Sequence, residues 1–211
     1  MGISSVKEAS ISHKRALIVV AHPKQDGFSN VLAQSFSDAL CAAGKEVDIV
    51  DLYRDNFDPR LSADELDEYG SPNFEDVLVS KYVDLIRKAN VLVFVYPTWW
   101  FNYPAILKGF FDRIFLPGVA FVTNQESGRI ARNLHNIDWV VNVTTAASSF
   151  WIYQVLMRNP TARLIRRAIG PFFSKQARFR SLTLHGIEET TEESRQAFAG
   201  RATRTLLKIM E

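Results

Sequence analysis

Five consecutive apolar residues, Val91, Leu92, Val93, Phe94 and Val95, followed at once by Tyr96 and Pro97, constrain the fold of this chain more than any other feature. No polar residue alternates with them, so a strand here is buried on both faces, as in a parallel sheet covered by helices; a short buried helix would share the pattern. Pro97 ends regular pairing and Pro104 suits a first helical turn. Between the prolines stand Thr98, Trp99, Trp100, Phe101, Asn102 and Tyr103. Four aromatics in a loop at the end of a buried strand either bind a flat ring or plug a core or a subunit interface.

The same pattern recurs along the chain. Residues 16–21 form a second continuous apolar run, ended by Pro23. A helix opens near Ser29, with Leu32, Phe36 and Leu40 as its buried stripe and Gly44 as its stop. Residues 46–52 alternate and predict a more exposed strand. Residues 53–72 are charged and carry two prolines, an excursion with one short helix. Helical periodicity resumes over 74–88. In the helix 104–115, Ile106, Phe110 and Ile114 share a face, with Leu107, Phe111 and Phe115 beside them; so wide a stripe predicts burial on more than one side and suggests a subunit interface. Residues 139–143 make a fourth strand, ending in Thr144-Thr145-Ala146-Ala147-Ser148-Ser149. Residues 161–169 are expected to be helical, 179–184 form a fifth strand, and 191–210 a closing amphipathic helix with Thr191 at its cap and Glu192 and Glu193 in its first turn. Strands and helices alternate without repeat or linker, which predicts one doubly wound α/β domain over 15–211: five parallel strands with helices on both faces.

Composition narrows the class. With 211 residues, 47% hydrophobic, and no run of membrane-spanning length, the chain reads as one soluble domain. Residues 1–14 have no signal-peptide pattern and are expected to be a disordered tail. The single cysteine, Cys41, excludes an intramolecular disulfide, is expected to pack as a small hydrophobe, and with the rest points to the cytoplasm. No metal site and no nucleic-acid partner is expected. Net charge is only +2, yet no acidic residue occurs between Asp138 and Glu188, where Arg158, Arg163, Arg166, Arg167, Lys175, Arg178 and Arg180 accumulate. This basic segment suits a nucleotide phosphate, an anionic membrane surface, or plain solvation.

In open parallel sheets ligands bind at the carboxyl ends of the strands, and three of these loops lie there. The first, residues 22–30, turns from a buried strand into a helix whose free N–H groups favour an anion, with Ser29 and Asn30 as further donors. It holds one glycine, Gly27, and is neither a Walker loop nor a dinucleotide fingerprint. His22 is either a ligand or a histidine satisfied by backbone groups.

Ala21-His22-Pro23 after the first strand, Phe28-Ser29-Asn30 opening a helix, and the stretch from Tyr96 to Phe115 together resemble the flavodoxin-like NAD(P)H:quinone oxidoreductases, over about residues 15–147. The resemblance implies a flavodoxin-like fold and a bound flavin, FAD or FMN with FAD the preferred expectation. His22, Phe28, Ser29 and Asn30 would then meet its phosphate and ribityl part. Pro97, Thr98, Trp99, Trp100 and Phe101 would hold the isoalloxazine, and Thr144 and Thr145, with the backbone from Ala146 on, its pyrimidine side. Trp99 and Tyr103 would line the acceptor side. The implied activity is two-electron, ping-pong hydride transfer from NAD(P)H through the flavin N5 to a quinone or similar flat small-molecule acceptor, in a homodimer. Two departures stand out: Ala146 and Ala147 replace a glycine pair, and Ile152 and Arg158 occupy the positions of an assisting tyrosine and histidine, so no catalytic acid or base is carried over. An electron carrier and a regulatory subunit of a membrane protein are the alternative readings.

Overall fold

The apolar run at Val91 forms the middle strand of a parallel sheet in a computed structural model that describes residues 14–69, 77–124 and 127–211. In chain order the elements are β1 (Arg15–Val20), α1 (Phe28–Ala42), β2 (Glu46–Asp51), α2 (Ala63–Asp67), α3 (Val77–Lys88), β3 (Val91–Pro97), α4 (Ala105–Ile114), β4 (Phe121–Thr123), β5 (Ile130–Arg132), β6 (Trp139–Ala146), α5 (Pro160–Leu164), β7 (Arg178–His185) and α6 (Glu192–Met210). The five sheet strands lie in the order β2-β1-β3-β6-β7, every neighbouring pair parallel. Counted alone they run 2-1-3-4-5, with the reversal of order between β1 and β3. The five strands expected from the sequence are the five of this sheet; β4 and β5, an antiparallel pair outside it, were not expected. The expected tail lies outside the described residues apart from Lys14, as does the first turn of the helix expected from Phe74.

Both faces of the sheet are covered, which is why β1 and β3 lack polar alternation. Ala16, Ile18, Val20, Val91, Val93 and Val95 pack against Leu32, Phe36 and Leu40 of α1 and Phe198, Ala202 and Leu206 of α6. Leu17, Val19, Leu92, Phe94 and Tyr96 face α3, α4 and the segment 165–173. Gly44 at φ +71° ends α1, and the Thr191 hydroxyl accepts from Ser194 N–H at 3.2 Å to cap α6.

Two expectations are corrected. Cys41 is exposed, because one residue beyond the Leu32, Phe36, Leu40 stripe is a 100° turn away from the core. The wide stripe of α4 is covered within the chain, by Phe57, Tyr82, Phe94 and Phe173, so it gives no reason for a second subunit. A Cβ on Gly109 would sit 2.2 Å from the Pro59 carbonyl oxygen, and buried Arg113 on the same helix donates to Asp58 O at 2.7 Å and to Glu65 Oε1 at 2.9 Å. The excursion after β2 is therefore the lid of this helix. Residues 161–169 are helical throughout, as expected, with α5 passing into a π-helical turn at Ile165–Ile169; another π-helical turn lies at Trp151–Leu156.

Candidate functional site

Parallel strands bring three loops to one edge. Ala21 N–H donates to Val95 O at 3.0 Å, joining the ends of β1 and β3, and β3 pairs with β6 through Tyr96 opposite Thr144 and Pro97 opposite Thr145. Beyond the pairing, Thr98 donates to Thr145 O twice, from its N–H at 2.8 Å and its hydroxyl at 2.7 Å. The side chain of Thr98 is thus a clamp between the second and third loops.

The aromatic loop is a tight turn. Trp99 and Asn102 bond to each other through both backbone pairs, at 3.1 and 2.9 Å, and the residues between them, Trp100 and Phe101, both have positive φ, +50° and +58°. Two successive left-handed residues make a type I′ turn, normally built from Asn and Gly. Each non-glycine residue in that region costs about 1–2 kcal/mol, and such strain gathers at binding sites. The turn leaves the Trp100 ring 96% exposed while Phe101 stacks at 6.2 Å and 28° on Tyr153. Ala146 and Ala147 have no positive φ, so replacing a glycine pair there strains nothing.

The first loop folds around His22. Its Nδ1 lies 3.2 Å from Lys24 N and 3.0 Å from Lys24 O, so either tautomer satisfies Nδ1 locally and leaves Nε2 for a ligand. The ring lies over Gly27, where a Cβ would fall 2.1 Å from Nδ1. Gly27 starts α1 without a side-chain cap, so the first-turn N–H groups of Phe28 and Ser29 stay open. Asn30 donates to Lys24 O at 2.7 Å, and its buried Oδ1 has no partner among the described residues. The Phe28 ring turns away, onto Phe198 of α6 at 6.5 Å, leaving its backbone as the part available to an anion.

These features fit a flavin. Open N–H groups and a free imidazole nitrogen suit its phosphate, the unpartnered Asn30 oxygen suits a ribityl hydroxyl, and the exposed indole face suits the ring. Tyr103 does not line that face. It is buried against Tyr96 and Phe111 and donates to Thr161 O at 2.5 Å. Burial pushes the phenols of Tyr96, Tyr103 and Tyr153 up, so all three stay protonated. Two residues stand beside the third loop: Tyr153, one step from Ile152 and left without a role on sequence grounds, and His185, which drew no notice there. Tyr153 is fully buried with its hydroxyl 2.9 Å from Thr161 Oγ1, and His185, paired in register with Ala146, has its ring 5.5 Å from that of Tyr153. A histidine ending the fifth strand could have been found as His22 was, by its place at a carboxyl end.

The basic segment lies elsewhere. Arg163, Arg166, Arg167 and Arg180 line a cavity against Val140, Asn142 and Ser181, midway along β6 and β7. A larger cavity, 980 Å³ between α1 and β2, includes Asn30, Asp51 and Arg54 and none of the residues 97–103.

A profile of the flavodoxin-2 family, described as a flavodoxin-like fold, matches residues 14–205. An NAD(P)H oxidoreductase of Haemophilus influenzae is 35% identical over 119 residues, 56% of this chain and 58% of that protein. The rat ribosyldihydronicotinamide dehydrogenase [quinone] is 35% identical over 124 residues, 51% of this chain and 54% of that one. The chain thus matches just over half the length of these relatives. The solved NAD(P)H:quinone oxidoreductase of Methanothermobacter marburgensis superposes with a TM-score of 0.75 at 28% identity, covering 92% of this chain and 97% of its own. With nearly the whole chain inside the profile, and with the strand order and edge loops just described, this protein belongs to the flavodoxin-2 family of flavodoxin-like proteins.

Proposed function

We propose that the three-loop edge binds a flavin, FAD or FMN, and that the protein is an NAD(P)H oxidoreductase of the quinone-reductase kind. The observation that carries the reading is the strained turn at Trp100 and Phe101, which holds an exposed indole beside the ends of β3 and β6. The names of the relatives, NAD(P)H oxidoreductase and quinone dehydrogenase, support the same activity.

The flavin, when bound, accepts a hydride from NAD(P)H and returns two electrons to an acceptor. The chain's own work is binding and orientation. His22, with Nδ1 accepting from Lys24 N–H, donates from Nε2 to the phosphate alongside the open end of α1. Asn30 Oδ1 would accept a hydrogen bond from a ribityl hydroxyl. Thr98, fastened twice to Thr145, fixes the two ring-binding loops against each other, so the cleft is formed before ligand arrives. Trp100 and Phe101 wall the ring, and the flat space above admits a nicotinamide or a planar acceptor in turn. No acid or base is assigned. Exposed Trp151, Val155 and Leu156 near this edge support a homodimer, and the lone exposed Cys41 a cytoplasmic home. Among the described residues no helix is long and apolar enough to cross a membrane.

Flavin-loaded protein mixed anaerobically with NADH or NADPH should lose its visible absorbance within seconds and regain it on adding a quinone. A flavin that is bound but reduced only over hours by either nicotinamide would point to an electron carrier instead.

A further inference from the structure

Six exposed apolar side chains crowd into one short stretch: Phe150, Trp151, Ile152, Val155, Leu156 and Met157, with Trp151 and Leu156 72% and 74% exposed. They belong to the π-helical turn Trp151–Leu156 and the residues on either side of it. Within this turn only Tyr153 is buried; its hydroxyl meets Thr161 Oγ1 at 2.9 Å, and its ring packs on Phe101 and His185. That single anchor holds the turn with its other apolar side chains in water. The next two residues, Arg158 and Asn159, both have positive φ, +57° and +46°, a costly conformation that turns the chain into α5. Exposed apolar residues scattered singly are ordinary, whereas a contiguous run marks a contact surface. Through Phe101 the run adjoins the aromatic turn at Trp99 and Trp100, so it borders the three-loop edge.

The charge beside the run says what it contacts. Arg158 follows Met157 directly, and exposed Arg163, Arg166 and Arg167 flank exposed Leu164 in the next helical stretch. No carboxylate occurs from 139 to 187, and none of these four arginines forms an ion pair among the described residues. A second copy would cover the apolar residues, which is the use a homodimer makes of them in water. A two-fold interface sets one patch against itself, however, and would draw basic segment towards basic segment with no carboxylate in either to neutralise it. An anionic bilayer satisfies both parts of the surface. Its headgroup region takes indole rings and its acyl boundary takes leucine and phenylalanine, while guanidinium groups reach the lipid phosphates. No described helix is long and apolar enough to span a membrane, so the contact is peripheral.

We infer that residues 150–167 form a docking surface for an anionic lipid bilayer, with Phe150, Trp151, Val155 and Leu156 entering the interface and Arg158, Arg163, Arg166 and Arg167 meeting lipid phosphates. The surface does not depend on what the three-loop edge binds.

The test is co-sedimentation of the purified full chain with vesicles of phosphatidylcholine alone and of phosphatidylcholine and phosphatidylglycerol in equal parts. The mixed vesicles should bind it about tenfold more tightly or better, and salt at about 0.5 M should release most of it. Trp151→Ser/Leu156→Ser and, separately, Arg163→Ala/Arg166→Ala alter exposed positions only, so both should keep the wild-type Tm while each weakens binding to the mixed vesicles about tenfold. Light scattering on the same proteins reads the competing occupant. Binding that is equal on the two kinds of vesicle, absent from both, or unchanged in either double variant would overturn the assignment. A dimer lost in Trp151→Ser/Leu156→Ser with vesicle binding unchanged would give the surface to a second copy instead.

Discussion

Trp100→Gly separates the cost of the aromatic turn from its use. At φ +50° the tryptophan pays about 1–2 kcal/mol that glycine does not, while glycine loses about 0.5–1 kcal/mol more chain entropy on folding. The ring is 96% exposed, so its removal forfeits almost no burial. The balance is a gain of roughly 0–1.5 kcal/mol, or about 0–6 °C in Tm at the 2–4 °C per kcal/mol of a chain this size. Binding moves the other way. One face of an indole against a flat ring removes about 100 Å² from water, worth ~2.5 kcal/mol, and stacking adds ~0.5–1.5 kcal/mol, so about 3 kcal/mol is at stake. That is about a hundredfold in affinity. Differential scanning fluorimetry of the flavin-free protein and fluorescence titration with FMN and FAD read the two effects separately. A Tm lowered by several degrees would mean that the indole is packed, and a flavin affinity changed less than threefold would mean that it does not face the ring.

Gly27→Ala places a Cβ 2.1 Å from the His22 ring, which must swing away from Lys24; flavin affinity should drop about tenfold, ~1.4 kcal/mol, with a small change in Tm, and unchanged titrations would remove His22 from the site. Gly109→Ala meets the Pro59 backbone at 2.2 Å and should cost about 1–3 kcal/mol in urea unfolding, whereas a neutral result would mean that the segment over α4 is loosely held. Burial pushes the Glu65 carboxyl up, but Arg113 and Ser62 outweigh it and hold it below its usual value. A depressed carboxylate stabilises the fold above its unfolded pKa of about 4.3 and loses that contribution as pH falls through the folded value. Tm should therefore decline below about pH 4.5 in the wild type and less steeply in Glu65→Gln, which is itself destabilised at pH 7 because Arg113 is left buried without its carboxylate; parallel profiles would count against the pair.

The strands were legible because a strand buried on both faces leaves a long apolar run, unbroken in β1 and β3 and broken in β6 by Asn142 before its threonines. The edge was legible for the same reason, since parallel order places His22, Thr98 and Thr144 together once the strands are known. Backbone conformation inside the loops was not. Trp-Trp-Phe-Asn carries no glycine, and nothing in its residue types announces a type I′ turn. The cover of α4 was misjudged because Phe57 and Pro59 sit in a charged excursion whose apolar residues do not repeat at any period. Tyr153, one step from the position of the assisting tyrosine, received no role and His185 went unnoticed, because the two are far apart in sequence and meet only in the fold.

Hydrogen–deuterium exchange with and without flavin tests the three-loop site most directly. Added FMN or FAD should slow exchange in residues 22–30, 98–103 and 144–149 together, at flavin concentrations that also quench its fluorescence. Protection confined to the groove between α1 and β2, or no protection at saturating flavin, would contradict the account.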